Sequence, residues 1–92
     1  MLASFRVSVA PWQASWLTPV SFIVNEPLGV TAHIVPWNFP IGMALRSVAP
    51  ALAAGCTAVL KPAEQSSLSA LALCALASDV GFPPGVLNLV TG

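Results

Sequence analysis

The sequence predicts an α/β fold built on a parallel, doubly wound sheet, and three observations point to it. From Gly29 onward the pattern runs strand, helix, strand, helix, strand, the order produced when helices cross over between parallel neighbours. The candidate strands read as unbroken apolar runs, as strands do when helices cover both faces of a sheet. The polar residues suited to chemistry follow the strands, and such sheets bind ligands beyond the carboxyl ends of their strands.

Each element has a local reason. Residues 1–19 show no clear period. Val20 to Val24 reads as a short strand, which Asn25-Glu26-Pro27 should break. Gly29 to Val35 is apolar and β-branched, a second strand ended by Pro36. Asn38 is a candidate helix N-cap, because its side chain can accept a hydrogen bond from a first-turn N–H. Pro40 suits the first turn, where a missing N–H costs nothing. A helix from Phe39 to Ala54 follows, with Pro50 expected to kink or divide it. Gly55 supplies the left-handed residue that closes such a helix. Cys56 to Leu60 is a compact strand, and Lys61-Pro62-Ala63-Glu64-Gln65 is a polar loop at its carboxyl end. Ser66 or Ser67 should cap the next helix, which runs to Val80 and stops at Gly81. After a Pro83-Pro84-Gly85 turn, Val86 to Val90 forms the last strand, and Thr91-Gly92 opens a loop. Asn38, Lys61 with Glu64, and Gly92 therefore converge on one sheet edge.

Composition narrows the function classes. Hydrophobic residues make up 57% of the 92-residue chain and charged residues only 7%, against about one quarter charged in an average soluble domain. A small domain has much surface for its volume, so six charged side chains leave large apolar areas for something else to cover. A membrane is one candidate cover, but a spanning helix needs about 20 apolar residues. Val48 to Leu60 is interrupted by Pro50 and Gly55, and Leu68 to Ala77 is too short. Pro11, Trp12, Gln13 and Trp16 break any signal-peptide core. Three basic and three acidic residues cancel, leaving no basic patch for nucleic acid. Cys56 and Cys74 lie in apolar surroundings and read as buried thiols of a reducing compartment. No Cys/His spacing suggests a metal. His33, alone in a strand with no acid or nucleophile beside it, reads as a structural histidine.

Six segments taken together resemble a known family. These are Glu26-Pro27-Leu28-Gly29-Val30, Pro36-Trp37-Asn38-Phe39-Pro40, Ala49-Pro50-Ala51-Leu52-Ala53-Ala54-Gly55, Leu60-Lys61-Pro62-Ala63-Glu64, Gly85-Val86-Leu87-Asn88 and Thr91-Gly92. In order and spacing they resemble the NAD(P)-dependent aldehyde dehydrogenases. The likeness covers residues 20–92 as part of the cofactor-binding domain and leaves 1–19 as an atypical N-terminal segment. It implies a partial Rossmann-like fold, the β-α-β-α-β half of that domain.

The resemblance also implies roles. Asn38 matches the asparagine whose amide helps form an oxyanion hole, a fixed neutral donor for the charge that develops when a thiolate attacks an aldehyde. Lys61 and Glu64 match the contacts to the adenosine ribose, and Ala63 and Asn38 are further cofactor-binding candidates. A carboxylate accepts from ribose hydroxyls, and an ammonium reaches a hydroxyl or a 2′-phosphate. Glu64 would repel a 2′-phosphate, which favours NAD and leaves NADP as the alternative. Ile34, Val35, Pro36 and Trp37 match neighbours of the nicotinamide half. Arg46 is a candidate substrate contact, because members acting on semialdehydes place there an arginine that can bind a substrate carboxylate.

Two positions depart from the family pattern. Ser47 stands where a lysine is usual, as in some members acting on aromatic aldehydes, and Cys56 stands where asparagine is common. Neither cysteine matches the family nucleophile, whose motif, like that of the water-activating glutamate, belongs to a region beyond Gly92. The resemblance implies oxidation of an aldehyde to a carboxylic acid through a cysteine thiohemiacetal, hydride transfer to NAD(P), a cytoplasmic location and, in complete relatives, a homo-oligomer. It implies no activity for the 92-residue chain alone. The competing readings are a non-catalytic binding module that pairs through its apolar faces and, on hydropathy alone, a membrane-associated protein.

Overall fold

The structure, a computed structural model, describes residues 2–8 and 21–92, with side chains described from residue 23 onward. The expected aperiodic stretch between residues 9 and 19, and the strand start at Val20, lie outside the described residues.

Two sheets are present. The first is an antiparallel pair, β1 (Leu2–Ser8) and β2 (Ser21–Pro27), in register from Leu2 opposite Pro27 to Ser8 opposite Ser21. This corrects the expectations for both stretches. Residues 2–8 are a strand despite their weak period, and Asn25-Glu26-Pro27 continues β2 rather than breaking it. The reason is pairing: Asn25 lies opposite Ser4 and Glu26 opposite Ala3. Pro27 sits at the strand's last position, and in a two-stranded sheet every strand is an edge, where proline's missing N–H is tolerated.

The second sheet holds β3 (Val30–Ile34), β4 (Thr57–Lys61) and β5 (Leu87–Leu89), parallel and in that order. Helix α1 (Pro40–Ala53) connects β3 to β4, and α2 (Ser67–Asp79) connects β4 to β5. The alternating strand, helix and parallel sheet agree with the α/β expectation. Backbone bonds extend the ladder beyond the strand bounds, from Thr57 N–H to Gly29 O at 3.0 Å, Val35 N–H to Lys61 O at 3.1 Å and Val90 N–H to Leu60 O at 2.9 Å.

The chain steps from β3 to β4 to β5 in one direction, and right-handed crossovers then place both helices on the same face. Val35, Ala44, Val48, Ala58, Leu60 and Ala70 form the core between that face and the helices. Within the described residues the opposite face stays open, with Val30 75%, Ile34 81% and Val90 53% exposed.

The helix ends follow from single residues. Proline disfavours the helical region for the residue before it. Pro40 therefore holds Phe39 extended, at φ −141° and ψ 77°, and Phe39 becomes the N-cap with no side-chain cap bond. This corrects the reading of Asn38 as the cap, since Asn38 lies one residue outside the helix. Pro50 does not divide α1, which is continuous from Pro40 to Ala53. The proline removes a donor for the Arg46 carbonyl, but both residues are exposed, so water can serve. Ser66 occupies the α2 N-cap without accepting from an N–H. Its hydroxyl instead donates to the Ala63 carbonyl, 3.3 Å away, because Glu64–Ser66 forms a 3-10 turn ahead of the helix.

Gly55 closes α1 in the left-handed region at φ +86°. Its N–H donates to Leu52 O and that of Cys56 to Ala51 O, the paired bonds of a Schellman ending. A Cβ at Gly55 would lie 3.1 Å from Pro27 Cγ. Both the backbone and the space therefore select glycine. Gly55→Ala should cost about 1–2 kcal/mol from the left-handed backbone alone, with the Pro27 contact adding to it. A midpoint in chemical denaturation equal to that of the unaltered chain would refute this.

Candidate functional site

Because β3, β4 and β5 run parallel, their carboxyl ends share one edge. Lys61 is the last residue of central β4 and pairs with Ile34. Its carbonyl accepts from Val35 N–H, so the turn carrying Pro36, Trp37 and Asn38 leaves the sheet directly beside Lys61. On the other side, Val90 N–H bonds to Leu60 O, and Gly92 follows two residues later. The Lys61 ammonium donates to the carbonyls of Pro62, at 3.2 Å, and of Gly92.

Strand alternation decides where the side chains go. In β4, Ala58 and Leu60 are buried, while Thr57, Val59 and Lys61 are only half-buried. Lys61 therefore projects on the open face, in a row with exposed Ile34. Val35 is 6% exposed and packs in the core, so only its backbone is free to meet a ligand. Pro36, Trp37 and Asn38 are all exposed, and the Asn38 amide has no capping duty in α1. Ala63 is half-buried in the turn after Lys61, and Glu64 is exposed at its start. Arg46 is exposed on α1, six residues past Pro40 and thus about 9 Å along the axis. The edge accordingly brings together Asn38, Lys61, Ala63, Glu64 and Gly92, with Arg46 set back from it.

This donor set suits a nucleotide sugar. An ammonium donor and an exposed carboxylate acceptor stand a few residues apart at one strand end, and ribose hydroxyls both accept and donate. The apolar surface of Ile34 and Val90 beside Lys61 provides a flat contact for a ring. The residues present therefore fit an NAD-type cofactor.

Neither cysteine can act as a nucleophile at this edge. Cys56 is 3% exposed and precedes the first residue of β4, so the length of that strand, about 16 Å, separates it from Lys61. Cys74 lies in α2, and burial pushes its thiol above the usual range. Among the described residues no group of His, Cys, Asp and Glu could hold a metal, and no helix is long and apolar enough to cross a membrane.

Sequence reasoning missed one polar assembly. His33 is 4% exposed. Its Nδ1 lies 2.7 Å from Ser47 Oγ and its Nε2 lies 2.8 Å from Thr31 Oγ1. Thr31 Oγ1 donates in turn to Thr57 O at 2.9 Å. These bonds agree with a structural histidine. The signal was present in the alternation of Thr31 and His33 along one strand face, and in Ser47 lying within the buried stripe of Ala44, Val48 and Ala51.

Comparison with known proteins agrees with this geometry. The family model for the aldehyde dehydrogenase family matches residues 9–92. Betaine aldehyde dehydrogenase 1 of Oryza sativa subsp. japonica is 57% identical over 72 residues, which is 78% of this chain but 14% of that protein. The crystal structure of an aldehyde dehydrogenase from Brucella melitensis biovar abortus 2308 superposes with a TM-score of 0.76 at 45% identity, over 96% of this chain and 18% of its own. Betaine aldehyde dehydrogenase of Staphylococcus aureus, solved in complex with NAD+, superposes with a TM-score of 0.70 at 46% identity, over 73% of this chain and 13% of its own. The chain belongs to the aldehyde dehydrogenase family. It spans about one seventh of the length of the curated relative in rice.

The raised Cys74 pKa can itself be tested. A higher pKa leaves less thiolate at a given pH, and the thiolate is the reactive form. Alkylation of Cys74 should therefore be slower than that of free cysteine near neutral pH and should accelerate as the pH rises through the raised value. Mass-spectrometric labelling at a series of pH values measures this, and labelling as fast as free cysteine at neutral pH would contradict it.

Proposed function

We propose that this chain is the first β-α-β-α-β part of the cofactor-binding domain of a dehydrogenase that oxidises an aldehyde to a carboxylic acid with NAD or NADP. The observation that carries the reading is the shared carboxyl edge, where Asn38, Lys61 and Glu64 leave adjacent parallel strands. Family membership and the NAD+ complex of the S. aureus relative support it.

In this reading Lys61 donates to the ribose of the adenosine half and Glu64 accepts from its hydroxyls, while the Ala63 backbone lines the same turn. Ile34, Val35, Pro36 and Trp37 border the nicotinamide half, Val35 through its backbone only. The cofactor supplies the hydride acceptor. Asn38 supplies a fixed amide donor to the carbonyl oxygen as negative charge builds on it. A neutral donor on a short, proline-flanked turn suits that role, because little reorganisation is needed as the charge develops. Arg46 is assigned to a carboxylate-bearing aldehyde, approached from the exposed side of α1. Glu64 favours NAD, since a carboxylate repels a 2′-phosphate. The thiol that would form the thiohemiacetal is assigned to a part of the protein other than these 92 residues, because Cys56 and Cys74 are both unsuited to it. A cytoplasmic, homo-oligomeric enzyme is the setting we propose, with an aldehyde as its small-molecule partner.

Two measurements test the proposal. The 92-residue chain should give no aldehyde-dependent reduction of NAD+, followed by absorbance of the reduced cofactor, and measurable turnover would refute the assignment of the nucleophile elsewhere. Calorimetric titration with NAD+ should show binding that Glu64→Gln weakens about 10-fold to 100-fold, the range for losing a charge-assisted hydrogen bond. Equal affinity for NAD+ in the variant would remove Glu64 from the site.

A further inference from the structure

The edge residue Asn38 sits in the bend of a loop whose two ends are tied together by side chains. His33 lies near the end of β3 and Ser47 lies midway along α1. The hydrogen bond between them closes a span of 14 residues that has Asn38 in its turn. The direction of every bond in the assembly can be worked out. Thr31 has one hydroxyl proton and gives it to Thr57 O. Thr31 Oγ1 can then only accept from His33, so Nε2 of the ring carries a proton. In the neutral ring Nδ1 is bare, and it accepts from the Ser47 hydroxyl. The result is a directed chain from α1 through β3 to the backbone of β4, running Ser47, His33, Thr31, Thr57.

We infer that His33 and Ser47 are positioning residues for Asn38, acting by fixing α1 in rotation and height against β3. Several observations support this. Helix α1 otherwise meets the sheet through apolar side chains, buried Ala44, Val48 and Ala51 with half-buried Met43 and Leu52, contacts that lack the directionality of a hydrogen bond. The helix start has no side-chain cap to pin it. Of the other backbone bonds near the turn, that of Val35 to Lys61 anchors the strand side, and that of Met43 N–H to Phe39 O joins the turn only to the first turn of α1 itself. The Ser47 to His33 bond anchors the helix side. With both in place the turn through residues 36–39 is held at each end, as a preorganised donor requires. His33 is buried on the helix side of β3, so it acts through the turn and touches no reacting atom.

The inference rests on the proposed role of Asn38, and its test separates the two. The full chain labelled with 15N is examined by NMR, with long-range correlations reporting which ring nitrogen of His33 is protonated. The unaltered chain should show a single Nε2–H tautomer. Ser47→Ala, which removes the donor to Nδ1, should shift the Nδ1 resonance while Thr31 keeps the Nε2–H tautomer in place. It should also shift or broaden the amides of Trp37, Asn38 and Phe39 and the Asn38 side-chain amide, leaving α2 and β5 unmoved. Ser47→Thr, which keeps a hydroxyl at the same position, should restore both signatures. A Ser47→Ala chain whose turn signals do not move, or whose shifts spread equally through α2 and β5, overturns the inference. Adding NAD+ to the same samples separates the readings. A chain with the expected tautomer and turn behaviour but no shift at Lys61 or Glu64 would sink the cofactor assignment and leave the positioning role standing.

Discussion

The parallel pairing of β4 with both of its neighbours is the constraint on which the site depends. A single central strand carries Lys61, and the backbone bonds at its end fix where the flanking segments must leave the sheet. Val35 is held to the Lys61 carbonyl on one side and Val90 to the Leu60 carbonyl on the other. The turn with Asn38 and the loop with Gly92 then emerge within reach of the Lys61 side chain, whatever their own preferences. Leu60, wholly buried on the helix side, keeps this register. A slip by one residue would turn Leu60 outward and Lys61 into the core, a change opposed by both apolar burial and the cost of burying an ammonium.

The same pairing explains the composition. Among the described residues, two crossovers in one direction leave one face of the sheet bare, and on that face the strands expose Val30, Ile34 and Val90, with Lys61 at the edge as a charged exception. A chain with 7% charged residues is not failing to cover its surface at random. Its apolar residues are spread over both faces because the strands are patterned for burial on both sides. The fold visible in these residues supplies only one of those covers.

Much of this was legible in the sequence. The β3, α1, β4, α2, β5 order was readable because each helix announces its end. Gly55 and Gly81 sit at left-handed closing positions, and the apolar runs Cys56 to Leu60 and Val86 to Val90 that follow the two helices are too short for anything but strands. The antiparallel pair β1–β2 was not legible. Its stability comes from cross-strand register, and no period within residues 2–8 reveals a partner at residues 21–27. The N-cap was misplaced for a local reason. Asn38 has the right side chain for a cap, but Pro40 dictates the conformation of Phe39 and so moves the cap by one residue. That displacement has a consequence for the site, since an asparagine relieved of capping keeps its amide free for a ligand. Candidate site residues on loops after strands were readable from the rule that such sheets bind ligands there. The His33 assembly was not, because it depends on which face of α1 turns toward β3.

Ser47 shows how a departure from a family pattern can follow from packing. Read along the sequence, it stands where the family resemblance leads one to expect a lysine, which suggests a loss. In the structure it faces a buried imidazole at hydrogen-bonding distance, and it lies in the stripe of α1 that meets the sheet. A lysine there would bring a charged group and four methylenes into a space that a hydroxyl fills. Its ammonium could donate to Nδ1 as the Ser47 hydroxyl does, but two further donors would be left to satisfy. Serine is the residue that completes the chain from α1 to β4 without a buried charge. Position 47 and position 33 are therefore one choice made at two places. The feature that looked atypical in isolation is what allows a histidine to be buried beneath the turn that carries Asn38.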